Sequence, residues 1–242
     1  MAKFKELCGT IWKWVWECFK RSLLPLIMYI SASVVICMFT LDQVEIKAGL
    51  TTARFWTIFG IALFAVVYGA LMAFVEGGAG YDMLVAGNMK RMLSEKELKM
   101  TSQKVQREYR TWKGFAIGAW MVVLPLICAL IFGANQDAIL TSEDGGILFI
   151  KAIGMFVTGW AIYPFYFANF TGFASVSYYW SLLLLILPIL VSGVMYIVGA
   201  YARRNKAIKE QELADRAAKV QENKVKKINY GGLPGTKPRK RK

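Results

Sequence analysis

Histidine is absent from this 242-residue chain, and the absence removes whole classes of chemistry. No H-E-x-x-H zinc site, no Ser-His pair and no histidine proton relay can be built from it. Cysteine is scarce. Cys8, Cys18, Cys37 and Cys128 include no C-x-x-C pair, so neither a disulfide framework nor a cysteine zinc site is expected, and plain buried thiols are the preferred reading of Cys37 and Cys128. Acidic residues number 16 against 30 lysines and arginines, a formal charge of +14. From Ala152 to Ala202 charge of either sign is missing altogether. A pair of acids inside an apolar run, which an intramembrane aspartyl protease needs, is missing too: Gly80-Tyr81-Asp82 has no partner aspartate. Gly77-Gly78-Ala79-Gly80 lacks the lysine of a phosphate loop and follows no strand pattern. No catalytic residue, cofactor site or metal site is expected, and the chain reads as not an enzyme.

What is present is apolar residue, 56% of the chain, segregated from the basic blocks. Uncharged runs of about 18 residues or more can cross the hydrocarbon layer, and inside lipid they must be helical to satisfy their own backbone. The expected fold is therefore all-α: a polytopic membrane helix bundle. Residues 1–21 read as an interfacial amphipathic helix, with Phe4, Leu7, Ile11, Trp12, Val15, Trp16 and Phe19 recurring at spacings of three and four. The alternative is a cytoplasmic extension of the first membrane helix. The transmembrane domain, 22–202, holds segments at about 22–41, 54–76, 115–133, 147–163, 165–180 and 182–201, with a polar loop at 77–114. The tail, 203–242, is basic and reads as helical to about 228, with Glu212/Arg216, Asp215/Lys219 and Glu222/Lys226 in the favourable i,i+4 order.

Lysine and arginine beside membrane helices stay cytoplasmic. They crowd the N-terminal segment, the loop from Lys90 to Lys113, and the start of the tail, so all three belong on the cytoplasmic side. The chain must then cross an even number of times between loop and tail, where a naive count finds three blocks. Either 147–180 is re-entrant, turning near Tyr163-Pro164, or it crosses twice. Both give six membrane segments, four clear spans plus this region, with both termini cytoplasmic. An honest five-span chain with an external tail is the alternative.

Candidate functional residues are few. Lys151 lies in an apolar block and either snorkels to water or contacts an anion. With Tyr163, Pro164, Asn169 and Thr171 it could line a pathway or hold a ligand in a broken segment. Ala65, Gly69, Ala73 and Gly77, each four apart, form a small-residue strip for helix packing. Glu76, beside the glycines, is expected to cap or to pair with a base. Arg203, Arg204 and Lys206 sit where anionic headgroups would be. The expected partners are the lipid bilayer, anionic lipid headgroups, and a protein partner or second copy; DNA binding is not expected. These features favour a small transport or permeation component, or a membrane subunit of a transport system. The alternative is a non-catalytic scaffold or assembly subunit of a cell-envelope complex. Composition suits a bacterial cytoplasmic membrane.

Overall fold

The computed structural model describes residues 2–40, 52–93, 108–135, 145–168 and 178–229. They form five helices: α1 Ala2–Thr40, α2 Thr52–Leu93, α3 Thr111–Ala134, α4 Gly145–Ala168 and α5 Ser181–Asn229. A short 3-10 turn, Tyr178–Trp180, precedes α5. There is no strand among the described residues. Four helices, α1, α2, α3 and α5, are long and apolar enough among their described residues to cross a bilayer. Their outward side chains include Leu24, Ile27, Phe64, Leu71, Val75 and Ile131, all exposed. Such a surface would be unstable in water and suits hydrocarbon.

Three boundaries differ from the expectation. Residues 1–21 are not a separate element, because α1 runs from Ala2 through the first span without a break. The polar loop does not begin at 77, since α2 continues through Gly77-Gly78-Ala79-Gly80 to Leu93. The segment at 147–163 does not end at Tyr163-Pro164: α4 passes through both to Ala168. Proline removes one backbone donor, and a membrane helix tolerates this when neighbours satisfy the freed carbonyl. The same holds at Pro25, Pro125 and Pro188, all buried inside helices. Of the expected segment 165–180, residues 165–168 belong to α4 and 178–180 to the 3-10 turn. Asn169 and Thr171 lie outside the described residues.

The chain divides into two compact units, residues 1–200 and 201–242. In the first, helix directions follow from contacts between named residues. α1 and α2 are antiparallel: Arg21 pairs with Glu76, and Tyr29 packs on Gly69 further in. α1 and α3 run the same way, Trp14 lying beside Trp112 and Phe19 beside Trp120. α3 and α5 are antiparallel. Gly114 meets Ser192 and Tyr196, Gly118 meets Pro188 and Ile189, and Gly133 meets the Tyr179 ring. Arg21, Glu76, Lys113 and Tyr196 thus share one end of the bundle, and Phe132, Gly133 and Tyr179 share the other.

α4 does something different. Gly154 packs on the Phe132 ring, at the far end. Six residues on, Trp160 packs on Tyr29 and takes its backbone N–H to the Ser33 hydroxyl at 2.9 Å, deeper between the helices. By Tyr179 the chain is back at the far end, against Gly133. Gly154 and Tyr179 thus lie at the same end of the bundle, with Trp160 deeper between them.

Candidate functional site

Three helices bring ionisable side chains together at the Arg21 end. On α1, Glu17 and Arg21 are one turn apart, so they share a face and meet at 2.7 Å. The Arg21 guanidinium also pairs with Glu76 of α2. Lys113, in the first turn of α3, stands 3.8 Å from the Glu17 carboxylate and donates to the Glu108 carbonyl oxygen at 2.8 Å. The result is a chain of alternating sign, Lys113–Glu17–Arg21–Glu76, neutral as a whole. Lys113 is only 2% exposed. A charge that buried is retained only where an opposite charge and hydrogen bonds replace its water. Each link also crosses between helices or lies along one, so the chain ties α1 to α2 and α1 to α3.

Aromatic rings close over this cluster. Arg110 lies over the Trp14 ring, 4.5 Å from its centre, and Trp14 lies beside Trp112. Tyr109 stacks on Tyr196 with centres 5.5 Å apart and planes 9° from parallel. The Tyr109 backbone N–H donates to the Gly80 carbonyl oxygen at 2.9 Å. That contact explains the glycines inside α2. A methyl group on Gly80 would lie 2.8 Å from the Tyr196 hydroxyl and 3.3 Å from the Tyr109 Cα, and one on Gly77 would fall on the Tyr196 carbonyl oxygen. The Tyr196 hydroxyl is buried near the Arg110 backbone but without hydrogen-bond geometry to it. Both Glu17 oxygens and the Trp14 indole N–H are likewise buried without a hydrogen bond of good geometry, so the Glu17 carboxylate is held by charge alone.

The arrangement can brace helices and hold charge at a bilayer boundary. Among the described residues no group of three or more cysteine, aspartate or glutamate side chains is placed to hold a metal ion. Cys18 and Cys37 are buried and Cys128 is half-buried, none of them in a disulfide. Exposed Trp12, Trp16 and Trp112 mark the same end, with Lys20 over the Trp16 ring at 5.4 Å. Exposed Trp56, Tyr179 and Trp180 mark the other. The 20 residue steps from Trp56 to Glu76 span about 30 Å of helix, the thickness of a hydrocarbon layer between two aromatic belts.

The sequence-derived candidates fall into three groups. Ala65, Gly69, Ala73 and Gly77 are all buried, facing neighbours within the bundle, with Gly69 on Tyr29 and Gly77 on Tyr196. Lys151, Tyr163 and Pro164 lie on α4, but their side chains, like Asn169 and Thr171, are outside what the structure describes. Arg203, Arg204 and Lys206 are exposed on α5 in the second unit. Sequence reasoning missed the Glu17–Arg21–Lys113 cluster, having counted Arg21 and Lys113 only as orientation signals. A usable signal existed: each lies within a few residues of an apolar run's basic-side end, and Glu17 precedes Arg21 by four.

Comparison with known protein families, with curated proteins and with solved structures finds no match for this chain.

Proposed function

We propose that the protein is a non-catalytic membrane scaffold: a braced helical bundle that presents the exposed helical stretch beginning at Tyr201 to a partner on the cytoplasmic side. The observation that carries this reading is α5 itself. From Tyr201 to Glu222 every residue is exposed except half-buried Ala207. A helix that is polar nearly all round and exposed along its length is either a spacer or a surface for a partner. The permeation reading drew on the discontinuous segment 147–180 with a break at Tyr163-Pro164, and α4 continues through that proline to Ala168. The small-residue strip of α2 is used within the bundle, so it is not the scaffold's contact with other chains.

In this reading the Arg21 end is cytoplasmic, because the N-terminal segment, the 90–113 region and the tail all carry their bases there. The excursion of the chain between Gly154 and Tyr179 is re-entrant, which gives four full crossings and even parity. Arg203, Arg204 and Lys206 contact anionic headgroups, each contributing about 1 kcal/mol near the surface.

The test compares the full chain with one ending at Ala202, each purified in mild detergent. The full chain should carry a stoichiometric partner or second copy that the shortened chain lacks, while both keep a trypsin-resistant bundle. A full chain that is monomeric and partnerless would sink the scaffold reading. Loss of solute flux in Tyr163→Ala or Asn169→Ala at normal expression would restore permeation.

A further inference from the structure

The second unit carries its charges unevenly round the helix. At 3.6 residues per turn, Lys209, Leu213, Arg216 and Val220, spaced four, three and four, fall within about 60° of arc. All four are exposed, Leu213 at 63% and Val220 at 54%. The same spacing continues in the sequence to Lys224 and Lys227. Three of the four acids between Arg203 and Asn229, namely Glu212, Asp215 and Glu222, centre about 110° away. The fourth, Glu210, is 3.9 Å from Lys206. One side of the helix is therefore basic with two aliphatic side chains a heptad apart, and the acids flank it, Glu212 within about 40° of Arg216.

Resting on the scaffold reading above, we infer that this stripe docks an acidic amphipathic helix of a partner protein, with Leu213 and Val220 as its apolar anchors and Lys209 and Arg216 as its charge contacts. Anchors seven residues apart match the repeat of a helix laid along another helix. Opposite charge flanking them would set register and speed the encounter. Two competing occupants fit less well. From Ala202 to Asn229 there is no aromatic residue, so single-stranded RNA would find nothing to stack on. An interfacial membrane helix shows a broad apolar face rich in Trp, Phe and Leu, whereas this stripe offers two aliphatic residues among bases.

A photo-crosslinking phenylalanine analogue placed at Leu213, at Val220 or, on the other side, at Asp215 of the full chain in cells tests this directly. Adducts from 213 and 220 should be protein. The crosslinked peptide should be acidic, with apolar residues at helical spacing, and its yield about fivefold above that from 215. Joint reversal by Lys209→Glu and Arg216→Glu should cut that adduct about tenfold, while Lys219→Glu with Lys226→Glu should change it less than about twofold. RNA or lipid adducts at 213, equal yields on both sides, a basic crosslinked peptide, or no adduct would each overturn the proposal. If these arms fail while the chain ending at Ala202 still loses its partner, the scaffold reading stands and only the partner class falls. If the shortened chain keeps its partner, both fall together.

Discussion

From Ser181 to Ala200, α5 is packed so closely on its neighbours that Gly114, Gly118 and Gly193 have no room for a side chain. From Tyr201 to Glu222 it is exposed at all but one position. The two stretches are helical for different reasons. The first contains Pro188, Gly193, Gly199 and several β-branched residues, poor helix formers in water. It is helical because hydrocarbon leaves the backbone no other partner, and close packing then holds it in place. The second is rich in Ala, Lys, Glu, Gln and Arg, with i,i+4 pairs such as Lys206–Glu210. It is helical by local preference and needs no tertiary support. Substitutions should therefore act through packing in one stretch and through binding in the other.

The sharpest way to break this contrast is to overpack the bundle. Gly77→Leu drives a side chain into the Tyr196 backbone and should destabilise the bundle by about 3 kcal/mol or more, read as a fall in thermal unfolding temperature in detergent. Gly60 has nothing near it, so Gly60→Ala should stabilise slightly, by up to about 1 kcal/mol. Equal effects at the two glycines would refute the close approach. Next in size, Arg21→Ala strands Glu17 and Glu76 without their shared cation. A loss of about 3 kcal/mol is expected, lessened in the double variant with Glu76→Gln. A neutral Arg21→Ala would mean the ion chain braces nothing.

Smaller effects sharpen the comparison. Ser33→Ala removes the acceptor of the Trp160 backbone N–H and should cost about 1 kcal/mol, detectable as faster proteolysis of α4. Least of all, Leu213→Ser should leave bundle stability within about 0.5 kcal/mol, because its side chain is 63% exposed. A larger change in unfolding temperature would show that the second unit supports the first.

Much of the bundle was legible in the sequence. The runs around Ile27, Phe64, Leu126 and Leu187 are too long and too apolar for anything but membrane helices. Ala65, Gly69, Ala73 and Gly77, spaced four apart, are all buried. The misreadings share one cause. Gly77 to Gly80 looked like a loop because glycine weakens isolated helices, yet here it stays helical so that Tyr109 and Tyr196 can reach α2. Tyr163-Pro164 looked like a break because proline ends helices in water, yet α4 continues. Gly114 and Gly118 drew no notice, although their spacing matches the α2 strip, because Gly114 fell at the edge of the expected polar loop.

Composition and periodicity alone determined that the apolar runs are helical, that they suit lipid, which ends of those runs are basic, and that histidine is absent. Those properties depend on transfer free energies and backbone hydrogen bonding, which act residue by residue and need no knowledge of neighbours. Only the tertiary structure decided which charges meet, which glycines are contacts rather than turns, and that Gly154 and Tyr179 lie at one end with Trp160 deeper. Those depend on pairs of residues distant in sequence, such as Glu17 with Lys113, Arg21 with Glu76 and Ser33 with Trp160. No local pattern encodes such pairings, because each becomes favourable only once the helices already lie side by side.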